Sequence, residues 1–345
     1  MKIVNVMISR VMGGIEQAFL DYNQALRLLD YEVLSIVDKK NVISDKLNTP
    51  IFAINFNKYN PLLIWHLYSR LKKFAPDVII VQSKKAIPLF RIVANLLKAK
   101  LVGVAHNPKP KRLEKCDAIF SITQNQKDVL VAKGIKDVPI TVVPNMIDIP
   151  QNEPLYHHFH HPAVIGTFGR FDPMKGFCDF IAALGILKQR GIPFKAIIGG
   201  GNNGSYDDEE RRILQTAADC DLKEELEFCG WVTDKQCFFE QIDVFVMPSL
   251  HEPFGIVSLE AALAKKAMIC SDAEGPKEVW ANAGAAKLFA KGNHEMLADT
   301  IADIILNPQQ AQTMAENEYK YVKEHYSVPV VANILQNALK KVIEG

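Results

Sequence analysis

The chain has 345 residues, long for one compact domain and suited to two. Hydrophobic residues make up 48% and charged residues 23%, which excludes a mostly disordered chain, and 18 Pro and 19 Gly without period exclude a collagen-like one. The net charge of +1 hides an asymmetry: residues 1–150 carry 22 Lys and Arg against 12 Asp and Glu, the remainder 18 against 27. One half is therefore suited to something anionic, whether a nucleic acid, a phospholipid surface or a phosphorylated saccharide.

In chain order, strand-like apolar runs at 2–8, 33–37, 78–81, 101–105, 118–122 and 140–143 alternate with helix-like segments near 15–29, 61–73, 86–98 and 124–133. Runs apolar on both faces, separated by amphipathic helices, predict a parallel sheet covered on both sides. The opening run reads as a buried strand and not as a signal peptide, being cut short by Arg10. Residues 150–162, with three Pro and four His, predict a domain boundary. The scheme then repeats, with strands at 163–168, 194–198, 226–229, 244–247, 267–270 and 287–289 and helices between and after them. A last helix near 327–345 is expected to pack back onto the first domain. The fold class predicted is α/β, two doubly wound Rossmann-like domains (1–150 and 151–326) facing each other across a cleft at the carboxyl ends of their strands. No stretch approaches about 18 uninterrupted apolar residues, so no membrane-spanning helix is expected. The six Cys show no CxxC and read as reduced thiols of a cytoplasmic protein.

The strongest chemical signal is His251-Glu-Pro-Phe-Gly-Ile-Val-Ser-Leu-Glu260. A strand ends, a loop carries Glu252, and Gly255 opens a helix containing Glu260. The first amides of that helix form an anion- or hydroxyl-binding mouth. The two carboxylates suit the hydroxyls of a ligand that is polar at both ends and anionic in the middle. The second signal is Gly169-Arg-Phe-Asp-Pro-Met-Lys-Gly176, where Arg170 and Lys175 suit two phosphates. Weaker signals are Gly13-Gly14 before a helix and His106 at a strand end.

These motifs resemble the retaining glycosyltransferases of family 4, with the GT-B fold, over nearly the whole chain. The resemblance implies that Arg170 and Lys175 hold the diphosphate of a nucleotide-sugar donor, UDP-linked in the expected case, and Glu260 its ribose. It further implies that Glu252 and the amides at 254–256 hold the transferred hexose, His106 its 6-hydroxyl region, and Gly13-Gly14 a passing phosphate or sugar. Pro144-Asn-Met-Ile-Asp148 fits the family's interdomain motif except that Met146 stands where glycine is usual, which is expected to alter a turn.

No Asp-x-Asp pair lies in a loop suited to holding Mg²⁺ on a diphosphate, so no metal and no cofactor is expected. Residues 199–204 contain GxGxxG, the mark of a dinucleotide oxidoreductase, but the acids at 207–210 that follow would repel a pyrophosphate. His157-His-Phe-His-His161 reads as exposed linker, with no carboxylate to complete a metal site. Nucleic acid is disfavoured because the basic residues lack interleaved aromatics. Residues 56–73 combine Trp65 and Tyr68 with a basic end, which suits a helix on an anionic membrane surface or one packed on the sheet. The function expected is hexosyl transfer to a glycan or lipid-linked acceptor in lipopolysaccharide or other cell-surface glycan synthesis, by a cytoplasmic enzyme weakly peripheral on the inner membrane face. A non-catalytic nucleotide-sugar binding module of the same fold is the alternative.

Overall fold

The computed structural model describes all residues except 58–59, 155–158, 202–206 and 282–285. The chain forms two compact units, one of Met1–Asp148 with His325–Gly345, the other of Ile149–Glu324.

The first unit runs β1 (Lys2–Met7), α1 (Gly14–Leu28), β2 (Glu32–Asp38), β3 (Ile51–Ile54), α2 (Pro61–Phe74), β4 (Val78–Val81), α3 (Ile87–Leu97), β5 (Lys100–Ala105), β6 (Ala118–Ser121), α4 (Gln124–Ala132) and β7 (Ile140–Val142). Its strands form a seven-stranded sheet in the order β3-β2-β1-β4-β5-β6-β7, every pairing parallel. The second unit runs β8 (Ala163–Arg170), α5 (Phe177–Gln189), β9 (Phe194–Gly201), α6 (Asp207–Asp219), β10 (Leu226–Gly230), α7 (Lys235–Glu240), β11 (Val244–Met247), α8 (Ile256–Leu263), β12 (Ala267–Ser271), α9 (Glu274–Trp280), β13 (Lys287–Phe289), α10 (His294–Leu306) and α11 (Pro308–His325), before the chain returns to the first unit as α12 (Val328–Glu344). Its sheet has the order β10-β9-β8-β11-β12-β13, again all parallel.

The physical cause is visible strand by strand. Ile3 to Met7, Val78 to Val81 and Val244 to Met247 are buried on alternate faces alike, because helices cover both sides of each sheet. Asn60, Thr123 and Asp234 cap α2, α4 and α7 by accepting from Leu62 N, Gln126 N and Cys237 N. The apolar pattern does not predict β3, a four-residue edge strand whose half-exposed residues lack the buried run of its neighbours. In α12, Leu335 and Leu339 join Tyr22 and Leu26 of α1 in one buried cluster. Met146 is fully buried in the same cluster, and Ile147 N donates to Tyr326 O at 2.9 Å while Val328 N donates to Ile147 O at 3.1 Å. An apolar anchor with no positive φ occupies the position where the family pattern has glycine.

Strand order reverses between β1 and β4 in one sheet and between β8 and β11 in the other. Loops diverge to opposite faces at such points and leave a crevice at the carboxyl edge of each sheet. The two strong sequence motifs lie at these carboxyl ends, one spanning the end of β8 and the other following β11.

Candidate active site

In the second unit, β8 and β11 are neighbours, so the loops after them open on one edge. Asp172 shapes the first loop: its carboxylate accepts from Met174 N at 3.0 Å and its carbonyl from Lys175 N at 2.8 Å. Gly176 follows in left-handed backbone at φ 70°, and a Cβ there would lie 2.1 Å from the carbonyl oxygen of Pro248. No other residue lets the second loop approach so closely. Leu250 N and His251 N both donate to Met174 O, at 2.8 and 3.2 Å, which ties the two loops into one surface. On that surface Lys175 Nζ lies 2.6 Å from Glu252 Oε2. Arg170 is half-exposed, its guanidinium 3.6 Å from Asp172 Oδ2, too long for a hydrogen bond and so open to a better partner.

Glu252 is held from behind, its carbonyl accepting from Gly275 N at 2.8 Å. Gly255, at φ 88°, turns the chain into α8; Ser258 Oγ donates to Gly255 O at 2.7 Å and receives a bond from buried Trp280 Nε1 at 2.9 Å. The helix mouth is thus held from two sides, and Ser258 N also donates to Gly255 O at 2.9 Å; the amides that open a helix have no carbonyl of a preceding turn to bond. Glu260 lies one turn further in, about 6 Å along the axis. Its Oε1 is 2.5 Å from Lys235 Nζ, and its Oε2 is buried with no hydrogen-bond partner among the described residues. Burial pushes this carboxyl up, and Lys235 acts in the opposite sense. A buried acceptor without a donor is costly, and a ligand hydroxyl would satisfy it.

Arg170, Lys175, Glu252, Phe254, Gly255, Ile256 and Glu260 therefore belong to one carboxyl edge. Lys235 joins them unpredicted. It stands at the start of a six-residue helix, where Asp234-Lys235 looks like ordinary capping, and only folding brings it to Glu260.

In the first unit, β1, β4 and β5 lie side by side. Gly13 and Gly14 are exposed at the start of α1, but Gly13 is extended (φ −168°), a backbone open to any residue. A Cβ at Gly13 would meet Glu16 Oε2 at 3.2 Å, so what glycine provides here is room. His106 is buried at the end of β5 with Nε2 2.8 Å from Gln82 Oε1. A carbonyl oxygen only accepts, so Nε2 carries the proton. Burial, with Lys84 adding to it, pulls the imidazole down to about 3, and His106 is neutral at pH 7. It is a hydrogen-bonding group, not a proton shuttle.

Two expectations need correction or limits. The histidine-rich linker is not wholly free of carboxylates: His160 Nδ1 lies 2.8 Å from Asp243, a buried side chain that also accepts from His160 N and Val164 N. His157 and His158 lie outside the described residues, as do Asn202, Asn203 and Gly204 of the GxGxxG match. Asp207 to Glu210 do open α6 as expected. Among the described residues no group of three His, Cys, Asp or Glu is placed to hold a metal ion.

Two family models match the chain: "Glycosyl transferases group 1" over residues 150–321 and "Glycosyltransferase Family 4" over residues 12–151. The lipopolysaccharide core biosynthesis mannosyltransferase LpcC of Rhizobium leguminosarum bv. viciae is 23% identical over 256 residues, covering 70% of this chain and 69% of that protein. The lipopolysaccharide core biosynthesis glycosyltransferase LpsD of Rhizobium meliloti (strain 1021) is 25% identical over 279 residues, covering 79% and 77%. The crystal structure of Anabaena Alr3699/HepE in complex with UDP and glucose matches with a TM-score of 0.82 at 20% identity, covering 99% of each chain, which shows a common fold. With both halves matched and both sheets wound alike, the chain belongs to the family 4 glycosyltransferases and has the GT-B fold.

Proposed function

We propose that this glycosyltransferase moves a hexose from a UDP-sugar, with retention of anomeric configuration and without a metal, to a glycan or lipid-linked acceptor of cell-surface glycan synthesis. The observation that carries the reading is the pairing of Lys175 with Glu252 beside the α8 mouth, with Glu260 holding a buried, unpartnered oxygen one turn deeper. The names of the relatives, two of them lipopolysaccharide core transferases, and of the UDP- and glucose-bound HepE support it.

Cleaving a sugar–diphosphate bond leaves negative charge on the departing phosphate and positive character on the anomeric carbon. Arg170, Lys175 and the amides at 254–256 meet the departing charge with groups already in place, at little cost of reorganisation. In this role Lys175 exchanges Glu252 for phosphate, and Glu252 is released to accept from the hexose hydroxyls. Glu260 accepts from the ribose hydroxyls through the oxygen that has no protein donor. His106, neutral, hydrogen-bonds the 6-hydroxyl region of the hexose, and Gly13-Gly14 leave room for the ligand. With no carboxylate assigned as a nucleophile, substitution takes place on one face of the sugar, the departing phosphate accepting the acceptor hydroxyl's proton. The positive groups do the work a divalent cation would do, so no cofactor enters the reading.

The membrane is the place of action in this reading, on its cytoplasmic face. Leu63, Leu67 and Leu71 of α2 pack inward, whereas Leu62 and Trp65 are 75% and 69% exposed ahead of Arg70, Lys72 and Lys73. Neighbouring α3 exposes Ile92 and Leu96. Apolar and cationic side chains together suit weak attachment to anionic lipid. Among the described residues no helix is long and apolar enough to cross a membrane.

The test is turnover of a panel of UDP-sugars with an oligosaccharide acceptor mixture, with and without EDTA, the product anomer being read by NMR. Retention unaffected by EDTA is expected. An inverted product, or activity abolished by EDTA and restored by Mg²⁺, would overturn the mechanism.

A further inference from the structure

The carboxyl edge of the first unit carries a charge arrangement that the reaction above does not use. Residues 51–115 hold 13 Lys and Arg against two Asp and Glu. The densest part is the loop after β5, His106-Asn-Pro-Lys-Pro-Lys-Arg112. Pro108 and Pro110 restrict its backbone. Lys84, at the end of neighbouring β4, clamps it by donating to Asn107 O at 3.0 Å, Asn107 Oδ1 at 2.8 Å and Lys109 O at 2.6 Å. Lys133, following α4, donates to Pro108 O at 3.0 Å. The loop is thus a rigid turn drawn over two ammonium groups.

Those ammonium groups bond neutral oxygens, which hold them in place without cancelling their charge. Lys84, Lys109, Lys111, Arg112 and Lys133 have no ion-pair partner among the described residues, whereas the cations at the second unit's edge are each set beside a carboxylate. Burial first, and then the charges of Lys109 and Lys133, pull Lys84 down to about 8. Lys84 already spends three donors on the loop. The groups free to meet a ligand are Lys109 and Lys111, both exposed, and half-exposed Arg112.

We propose that this loop, residues 106–112, is an anion-binding site that takes a phosphate or carboxylate borne by the acceptor, either on its sugar or on a lipid headgroup. The assignment rests on the transferase reading, in which the first unit receives the acceptor. Lys84 and Lys133 are positioning residues; Lys109, Lys111 and Arg112 bind. An acidic acceptor would be held within one loop of His106.

The experiment uses the full chain with its donor site saturated by UDP, so that Arg170 and Lys175 are occupied. Glucose 6-phosphate, glucose and phosphatidylglycerol vesicles are titrated in turn by calorimetry, against wild type and against K109Q/K111Q/R112Q, whose fold is checked by thermal melting. The phosphorylated sugar should bind at least tenfold more tightly than glucose, weaken as salt is raised, and lose its advantage in the triple variant while UDP affinity stays within twofold. Vesicle binding lost in the triple variant, without a sugar-phosphate preference, supports the site and assigns the anion to lipid. Equal binding of the two sugars with vesicle binding unchanged in the variant, or a sugar-phosphate preference that survives it, overturns the proposal. Failure of UDP to bind wild type would instead overturn the donor reading, and in that case a sugar-phosphate preference lost in the triple variant still supports the loop, whereas one that survives it overturns the loop as well.

Discussion

The two carboxyl edges are built on the same parallel topology and treat charge in opposite ways. At the edge of the second unit, Lys175 lies beside Glu252, Lys235 beside Glu260 and Arg170 near Asp172. At the edge of the first, Arg10 pairs with Asp38, but at the loop after β5 Lys84 and Lys133 bond backbone carbonyls and His106 is kept neutral. A paired edge suits a ligand with both anionic and hydroxyl groups, because each internal partner can be exchanged for one of the ligand's. An uncompensated loop such as 106–112 suits an anion alone. On the proposed function the same fold would reach two specificities through loop composition, since the sheet supplies only the place where loops converge.

The largest effect expected is at Arg170. Its guanidinium has no hydrogen-bonded partner among the described residues, so Arg170→Ala should lower kcat at least 100-fold, about 2.7 kcal/mol of transition-state stabilisation, with little change in melting temperature. Steady-state kinetics with near-normal kcat would remove the second unit's edge from the chemistry.

His106 gives the next largest effect, through stability. Its folded pKa of about 3 lies below the ordinary 6.5, so the unfolded chain takes up this proton first as the pH falls. Stability is therefore full above about pH 6.5 and declines toward pH 3, by about 2 kcal/mol at pH 5 from this group. Denaturant titrations of wild type and His106→Gln at pH 7 and pH 5 should differ in acid sensitivity by that amount. Equal sensitivity would mean that the imidazole is not buried neutral.

Glu260→Ala should raise the donor KM about tenfold, near 1.4 kcal/mol, with kcat changed less. Lys235→Ala sharpens the point. Without the ammonium that counters burial, the Glu260 carboxyl should titrate higher, so donor KM should begin to rise at a higher pH than in wild type. A KM profile that does not move would show that the pair is merely structural.

The smallest effect separates ligand-directed carboxylates from an internal one. Glu318 on α11 is fully buried, with Oε1 accepting from Met268 N at 3.3 Å and Oε2 unpartnered. Burial pushes this carboxyl well up, so the folded state holds its proton more tightly than the unfolded state. That stabilising contribution is greatest at low pH and fades as pH rises above the ordinary 4.5. Glu318→Gln should accordingly raise stability by about 1 kcal/mol at neutral pH, roughly 2–4 °C in melting temperature, and change it little near pH 4. Unchanged turnover alongside the gain would place the residue outside the site.

From sequence alone, apolar runs specified parallel strands, and the amphipathic segments between them specified helices, because both are local consequences of side-chain type. The Glu252–Glu260 segment and the Arg170–Lys175 loop were legible for the same reason: each follows a strand and opens a helix within a dozen residues. The edge strand β3 was not, since of its four residues only Ile54 is buried and the run is too short to carry a pattern. Tertiary structure alone decided the rest. It set Gly176 against the Pro248 carbonyl, brought Lys235 to Glu260 across 25 positions of chain, and drew the 106–112 loop over Lys84 and Lys133. Each of these is a meeting of charges or backbones distant in sequence. Only packing brings such groups within a few ångströms, where burial and short separation make their interactions large.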